Sequence, residues 1–129
     1  MKLSESKGFS LLELMIAMFI LIILLSVAIP TYNRSVQQAR QTVLQENLWQ
    51  MRRAIDQYRA DKGKLPPSIE ELVQTEYLRE TPMDPTSDKA EWDEIKGEDS
   101  LSPDGEEGLV NVKSLTEGKD MDGKDFKEY

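Results

Sequence analysis

The sequence predicts an α+β fold in which one long N-terminal α-helix packs against a small C-terminal antiparallel β-sheet. Three observations predict it. Residues Leu14 to Ile29, LMIAMFILIILLSVAI, form an apolar run without a single charge. Residues Tyr32 to Lys62 contain neither Gly nor Pro and carry an apolar stripe at helical spacing. Residues 64–129 are polar, acidic and punctuated by Pro and Gly, with room only for short strands.

Composition narrows the function before any motif does. The chain has 129 residues, no cysteine, no histidine and a formal net charge of -8. Without those two residue types there is no disulfide framework, thiolate zinc site or Cys- or His-based catalysis. An acidic balance also argues against a broad nucleic-acid-binding face, so no direct nucleic-acid partner is expected. The charge is unevenly spread. Residues 1–30 balance Lys2 and Lys7 against Glu5 and Glu13. Residues 31–63 set six bases against three acids, and residues 64–129 set eight bases against nineteen acids. A neutral apolar head, a basic middle and a strongly acidic tail follow one another.

The apolar head extends back to Phe9 and is closed by Pro30, which gives Phe9 to Ile29 the length of a bilayer-crossing helix. A buried core helix is the competing reading. It fails because so small a chain cannot wrap a helix that is apolar all round. No small-residue cleavage site of the secretory type follows the run. Lys2 and Lys7 place the N-terminal end in the cytoplasm and the rest of the chain beyond the membrane, a signal that Arg34 and Arg40 blunt. Glu13 stands out. A carboxylate in the first turns of a spanning helix is costly and marks a functional site, although an interfacial position from which it reaches water is the plainer alternative.

The segment KGFSLLELMIAMFILIILLSVAIPTY resembles the N-terminus of type IV pilins and of the pseudopilins of type II secretion. The features shared are the basic leader, Gly8, the aromatic Phe9, Glu13 within the apolar run and Pro30 at its end. The resemblance implies that residues 1–8 are a leader, cut after Gly8 by a membrane prepilin peptidase that also methylates the Phe9 amine. It implies that Glu13 neutralises the Phe9 ammonium of an adjacent subunit during assembly. It further implies an inner-membrane assembly platform, minor pseudopilins or pilins, and membrane lipid as partners, with the chain's main partner being itself. Residues 9–30 then form the membrane and filament-core helix, 31–63 an amphipathic stem and 64–129 a small acidic globular domain. Pro30 reads as a kink, with Ile22 to Pro30 the stretch able to loosen on assembly, or as a mark of membrane exit.

Within the stem, Leu44, Leu48, Met51, Ile55 and Tyr58 recur at spacings of four and three, one packed stripe with Val36 upstream. Gly63, followed by Pro66 and Pro67, reads as the stop. Phe9 to Lys62 would thus be nearly continuous helix, about 80 Å at 1.5 Å per residue. The stripe's partner is the acidic tail, which has too few large apolar side chains for a core of its own. The stem arginines read as a solvated face, some of them available to acidic groups of neighbouring subunits.

In the tail, Ser68-Ile-Glu-Glu71 is a capping-box pattern opening a short helix towards Tyr77 and Leu78. Pro82 and Pro85 predict an extended crossing. Trp92 to Ile95 and Leu109 to Val112 read as strands, with Val110 and Val112 apolar; Gly97 to Gly108 reads as a loop, and Asp125 to Tyr129 as a last strand anchored by Phe126. The stretches LPPSIEELVQTEYLRETPMDP, GLVNVKS and DGKDFKEY resemble the domain of major pseudopilins, and the missing cysteine pair departs from pilins with a disulfide-closed loop. The resemblance brings with it calcium as a cofactor of the terminal loop. Asp120 and Asp122, with Asp125, are the candidate ligands beside Gly123, and a solvated acidic turn is the bland reading of the same residues.

These readings point to a filament subunit rather than an enzyme. The type preferred is a pseudopilus subunit that supports protein secretion across the outer membrane, first as a single-pass inner-membrane protein with its C-terminal domain in the periplasm. A surface or DNA-uptake pilin is the nearest alternative, and a non-polymerising membrane-anchored binding domain a more distant one.

Overall fold

The computed structural model describes residues 7–129; Lys2, Glu5 and the rest of residues 1–6 lie outside the described residues. The elements are α1 (Leu11–Lys62), α2 (Ile69–Gln74), β1 (Asp93–Glu98), β2 (Glu107–Lys113) and a 3-10 turn (Phe126–Glu128). The chain divides into two units, Met1–Val36 and Gln37–Tyr129.

In the first unit the apolar residues of α1 have no protein partner among the described residues. Every large apolar side chain from Leu11 to Ile29 is exposed, in a helix long and apolar enough to cross a membrane. A core helix of a water-soluble domain buries such a face, so this stretch has the character of a membrane or assembly helix. The helix continues through Pro30. Proline cannot donate to the carbonyl one turn back, and hydroxyls lie on either side of the gap: Ser26 Oγ donates to the Ile23 carbonyl and Thr31 Oγ1 to that of Val27.

The second unit is built on the stem half of α1. Leu44, Leu48, Met51, Ala54, Ile55 and Tyr58 are buried there, against Ile69 and Leu72 of α2, Leu78, Trp92, and Leu109 and Val112 of β2. The i, i+4, i+7 spacing keeps these stem residues on one face, and that face is the centre of the core. Helix α1 stops where Gly63 takes a φ of 71° and its amide bonds back to the Arg59 carbonyl at 2.9 Å, a left-handed cap open to glycine.

Helix α2 opens as a capped helix, the Ser68 hydroxyl accepting from the Glu71 amide. It ends at Gln74, short of Tyr77. Glu76 turns into the left-handed region (φ 64°), and the amides of Tyr77 and Leu78 both return to the Leu72 carbonyl. The early stop aims Leu78 into the core and stacks Tyr77 edge-on against Tyr58, with ring centroids 5.4 Å apart. After Pro82 the chain does not cross in extended form as expected. Residues 85–88 make a tight turn closed by a bridge between Asp84 and Lys89.

The sheet has two antiparallel strands, not three. Both run further into residues 97–108 than the sequence suggests, pairing Gly97 with Gly108 and Glu98 with Glu107 and leaving only 99–106 as loop. A register shift between Ile95 and Lys96 leaves Val110 outside the pairing. This bulge lets Leu109 and Val112, three residues apart, both face the core, while Val110 points outward. Gly108 allows a close approach of β2 to the chain after α1: a Cβ there would stand 2.5 Å from that of Leu65, and the next amide, Leu109, donates to the Pro66 carbonyl. The last five residues form a turn instead of a strand, because the Asp125 side chain caps it by accepting from the Lys127 amide.

Candidate functional site

Residues 7–10 lie outside regular structure and lead directly into α1. Gly8 has open space where a Cβ would stand, and Phe9 is 90 % exposed. The bond between them is therefore accessible to an enzyme. Two residues on, Ser10 and Glu13 bond reciprocally: the Glu13 amide donates to Ser10 Oγ at 3.2 Å, and the Ser10 amide donates to Glu13 Oε2 at 3.4 Å. This is a capping box, which satisfies two of the helix's orphan donors. The Ser10-x-x-Glu13 spacing is its signal in the sequence, carried by the same carboxylate that is conspicuous as a charge in an apolar run.

The box has a chemical consequence. It holds the Glu13 carboxylate at the positive end of the helix, pointing back along the chain, one residue short of the Phe9 nitrogen. The carboxylate is thereby held in place at the start of the helix, its Oε2 bonded to the Ser10 amide. The start of α1 thus brings together an exposed Gly8–Phe9 bond, a pre-oriented anion and an apolar surface without a partner among the described residues.

In the second unit, the stem arginines differ sharply in what they touch. Arg52 donates to Asn111 Oδ1 (2.8 Å) and to the backbone oxygens of Val112 (3.0 Å) and Tyr129 (2.8 Å), so it ties α1, β2 and the terminal turn together. Burial lowers its pKa from the ordinary arginine value. Arg59 pairs with Asp99 at the base of the 99–106 loop. Burial alone would raise the Asp99 pKa, but the Leu101 amide and Arg59 outweigh it and hold the carboxyl below its usual range. Arg53 lies over the Trp49 ring at 5.2 Å. Arg40 makes no ion pair among the described residues.

Two acids serve inside the fold. Asp84 is fully buried; its carboxylate accepts from the Thr86 amide and hydroxyl and from the Ser114 hydroxyl, and the Thr86 and Thr116 hydroxyls bond each other. Asp120 accepts from the Asp122 and Lys124 amides through one oxygen and from the Tyr129 hydroxyl through the other. The Tyr129 bond, with those amides, lowers the Asp120 pKa. Burial, and then the same bond, pushes the Tyr129 phenol up to about 12. Asp122 is exposed on the same turn, and among the described residues no three acidic side chains converge as metal ligands do.

Residues 3–29 match the family described as the prokaryotic N-terminal methylation motif, typical of type IV pilin-like proteins. No curated protein and no solved structure matches the chain. The matched segment contains Gly8, Phe9, Ser10, Glu13 and the exposed apolar half of α1. The motif implies processing by a prepilin peptidase and self-assembly. With the unpartnered apolar helix it fits a membrane-anchored, pilin-like structural subunit.

Proposed function

We propose that this chain is a structural subunit of a pseudopilus, a type IV pilus-like filament that supports protein secretion across the outer membrane. One observation carries the reading: the wholly exposed apolar half of α1 begins at an accessible Gly8–Phe9 bond and a capped Glu13. The leader, residues 1–8, is removed and Phe9 is N-methylated. That loss takes away two bases and one acid, so the net charge moves from -8 to -9. The apolar helix sits in the inner membrane with the chain after Pro30 in the periplasm, then leaves the lipid to pack with other copies.

Glu13 drives that transfer. A carboxylate and an ammonium are each costly in an apolar medium, and a desolvated pair between subunits offsets much of the cost. Pro30 supplies the other requirement, a place where the helix from Ile22 onward loosens to fit the polymer. Minor subunits and an inner-membrane platform complete the assembly.

The absence of cysteine favours the secretion filament over pilins with a disulfide-closed loop. Electron microscopy of sheared cell surfaces tests it. Short periplasmic filaments support the pseudopilus, while long native surface fibres would assign the chain to a surface or DNA-uptake pilus. A membrane protein that never polymerises would refute both.

A further inference from the structure

The second unit has a groove of about 320 Å³ between the stem and the terminal turn. Arg40 and Lys119 line it, with the hydroxyls of Thr86 and Thr116 and the apolar side chains of Met121 and Phe126. Neither cation makes an ion pair among the described residues. Asp120 also borders the groove, but its carboxylate is taken up by the Tyr129 hydroxyl and two backbone amides. Even counting Asp120, the groove keeps an excess of positive charge beside an apolar floor.

The hairpin loop between β1 and β2 has the opposite character. Residues 97–108 include five acids and no base. Asp99 is paired with Arg59, which pins the loop to the stem. Bonds from the Leu101 amide to Asp99 Oδ1 and from the Ser102 amide to the Asp99 carbonyl hold its shape. Asp104 and Glu106 are exposed and make no ion pair among the described residues, and Leu101 between them and Asp99 is 77 % exposed. An ordered loop that displays a leucine flanked by carboxylates complements a groove with an apolar floor flanked by two cations.

We infer that the 99–106 loop of one copy of this chain docks in the Arg40–Lys119 groove of another copy, Leu101 against Met121 and Phe126 and Asp104 and Glu106 against the cations. The inference rests on the filament reading above. Within one chain the two surfaces cannot meet. Arg59, which pins the loop, is 19 residues from Arg40 along α1, about 28 Å at 1.5 Å per residue. Two different patches at separate heights on one rigid stem make a heterologous contact. Such contacts propagate as an open, helical polymer unless the rotation happens to close. The pairing also assigns a part to the acidic tail: its surplus of negative charge is a donor surface for the next subunit, not merely a solubilising coat.

The full-length chain, assembled in cells with its processing machinery, tests this. Because the native sequence has no cysteine, L101C and M121C report only on the proposed contact. A chain with both substitutions should form an oxidised ladder of covalent oligomers, and each single variant should not. In parallel, R40E/K119E and D104K/E106K should each lower sedimentable filament about tenfold or more, and the four changes combined should restore it. Wild-type filaments with no ladder and no effect of either charge reversal would overturn the pairing and leave the filament reading intact. Covalent dimers without higher species would overturn the head-to-tail arrangement. An unaltered chain that does not polymerise at all would remove the filament reading and this inference with it.

Discussion

Replacing Glu13 with glutamine separates the two roles its carboxylate combines. As the N3 residue of a capping box, it accepts from the Ser10 amide, and glutamine fills that position equally well. As an anion, it is proposed to meet the Phe9 ammonium of a neighbour, which glutamine cannot do. Capping is worth about 0.5–2 kcal/mol, and Glu13→Gln should leave it nearly intact. Breaking a desolvated ion pair by removing one partner costs about 3–5 kcal/mol. At 1.4 kcal/mol per tenfold, that lowers each subunit's tendency to add by about two to three and a half orders of magnitude. The assay counts filaments by sedimentation and electron microscopy while immunoblots follow membrane insertion and leader removal. Glu13→Gln should insert and mature normally yet fail to assemble, and Glu13→Leu should fail as well. Normal filaments from Glu13→Gln would show that Glu13 serves α1 only as a cap and would refute the charge-pairing argument.

Two predictions concern the second unit. Asp84→Ala leaves the buried Ser114 hydroxyl without its acceptor, at a cost of about 1–3 kcal/mol. The melting temperature of the full-length protein in detergent should then fall by about 4–8 °C per kcal/mol, and an unchanged transition would contradict the buried network. Tyr129 has its pKa raised from 10.0 to about 12, so its neutral form contributes stability that is complete below pH 10 and disappears as pH climbs through about 12. Tyr77 shifts in the same direction through its bond to Asp61, so the comparison is with Tyr129→Phe, which should lose stability less steeply across that range; identical pH profiles for the two proteins would argue against the Tyr129–Asp120 bond.

The long helix and the small antiparallel sheet were legible in the sequence because their signals are local. An apolar run, a four-and-three spacing and a glycine stop each show within a few neighbouring residues. What escaped depends on contacts distant in sequence or on competing local bonds. The bulge at Val110 depends on pairing with β1, and the close approach of Gly108 to Leu65 involves a residue some forty positions earlier. Nothing near Asp84 signals that an acid in a proline-flanked turn will be fully buried, since its partner Ser114 lies 30 residues on. The terminal segment carries the aromatics of a strand, but the cap at Asp125 and the Tyr129 bond to Asp120 fold it into a turn. At the candidate site, Glu13 stands out by its charge in an apolar run, while Gly8 and Phe9 are implied by the resemblance of the N-terminal segment. The Ser10–Glu13 box has an equally local signal, the Ser-x-x-Glu spacing, in a carboxylate whose charge also sets it apart from the apolar helix.

The N-terminus of the working protein tests the account most directly. Intact-mass and fragment-ion analysis of the chain purified from cell membranes should find residues 9–129 beginning with N-methylated Phe9. A functional chain that retains Met1–Gly8 would contradict the proposal, because Phe9 would then carry no ammonium for Glu13 to meet.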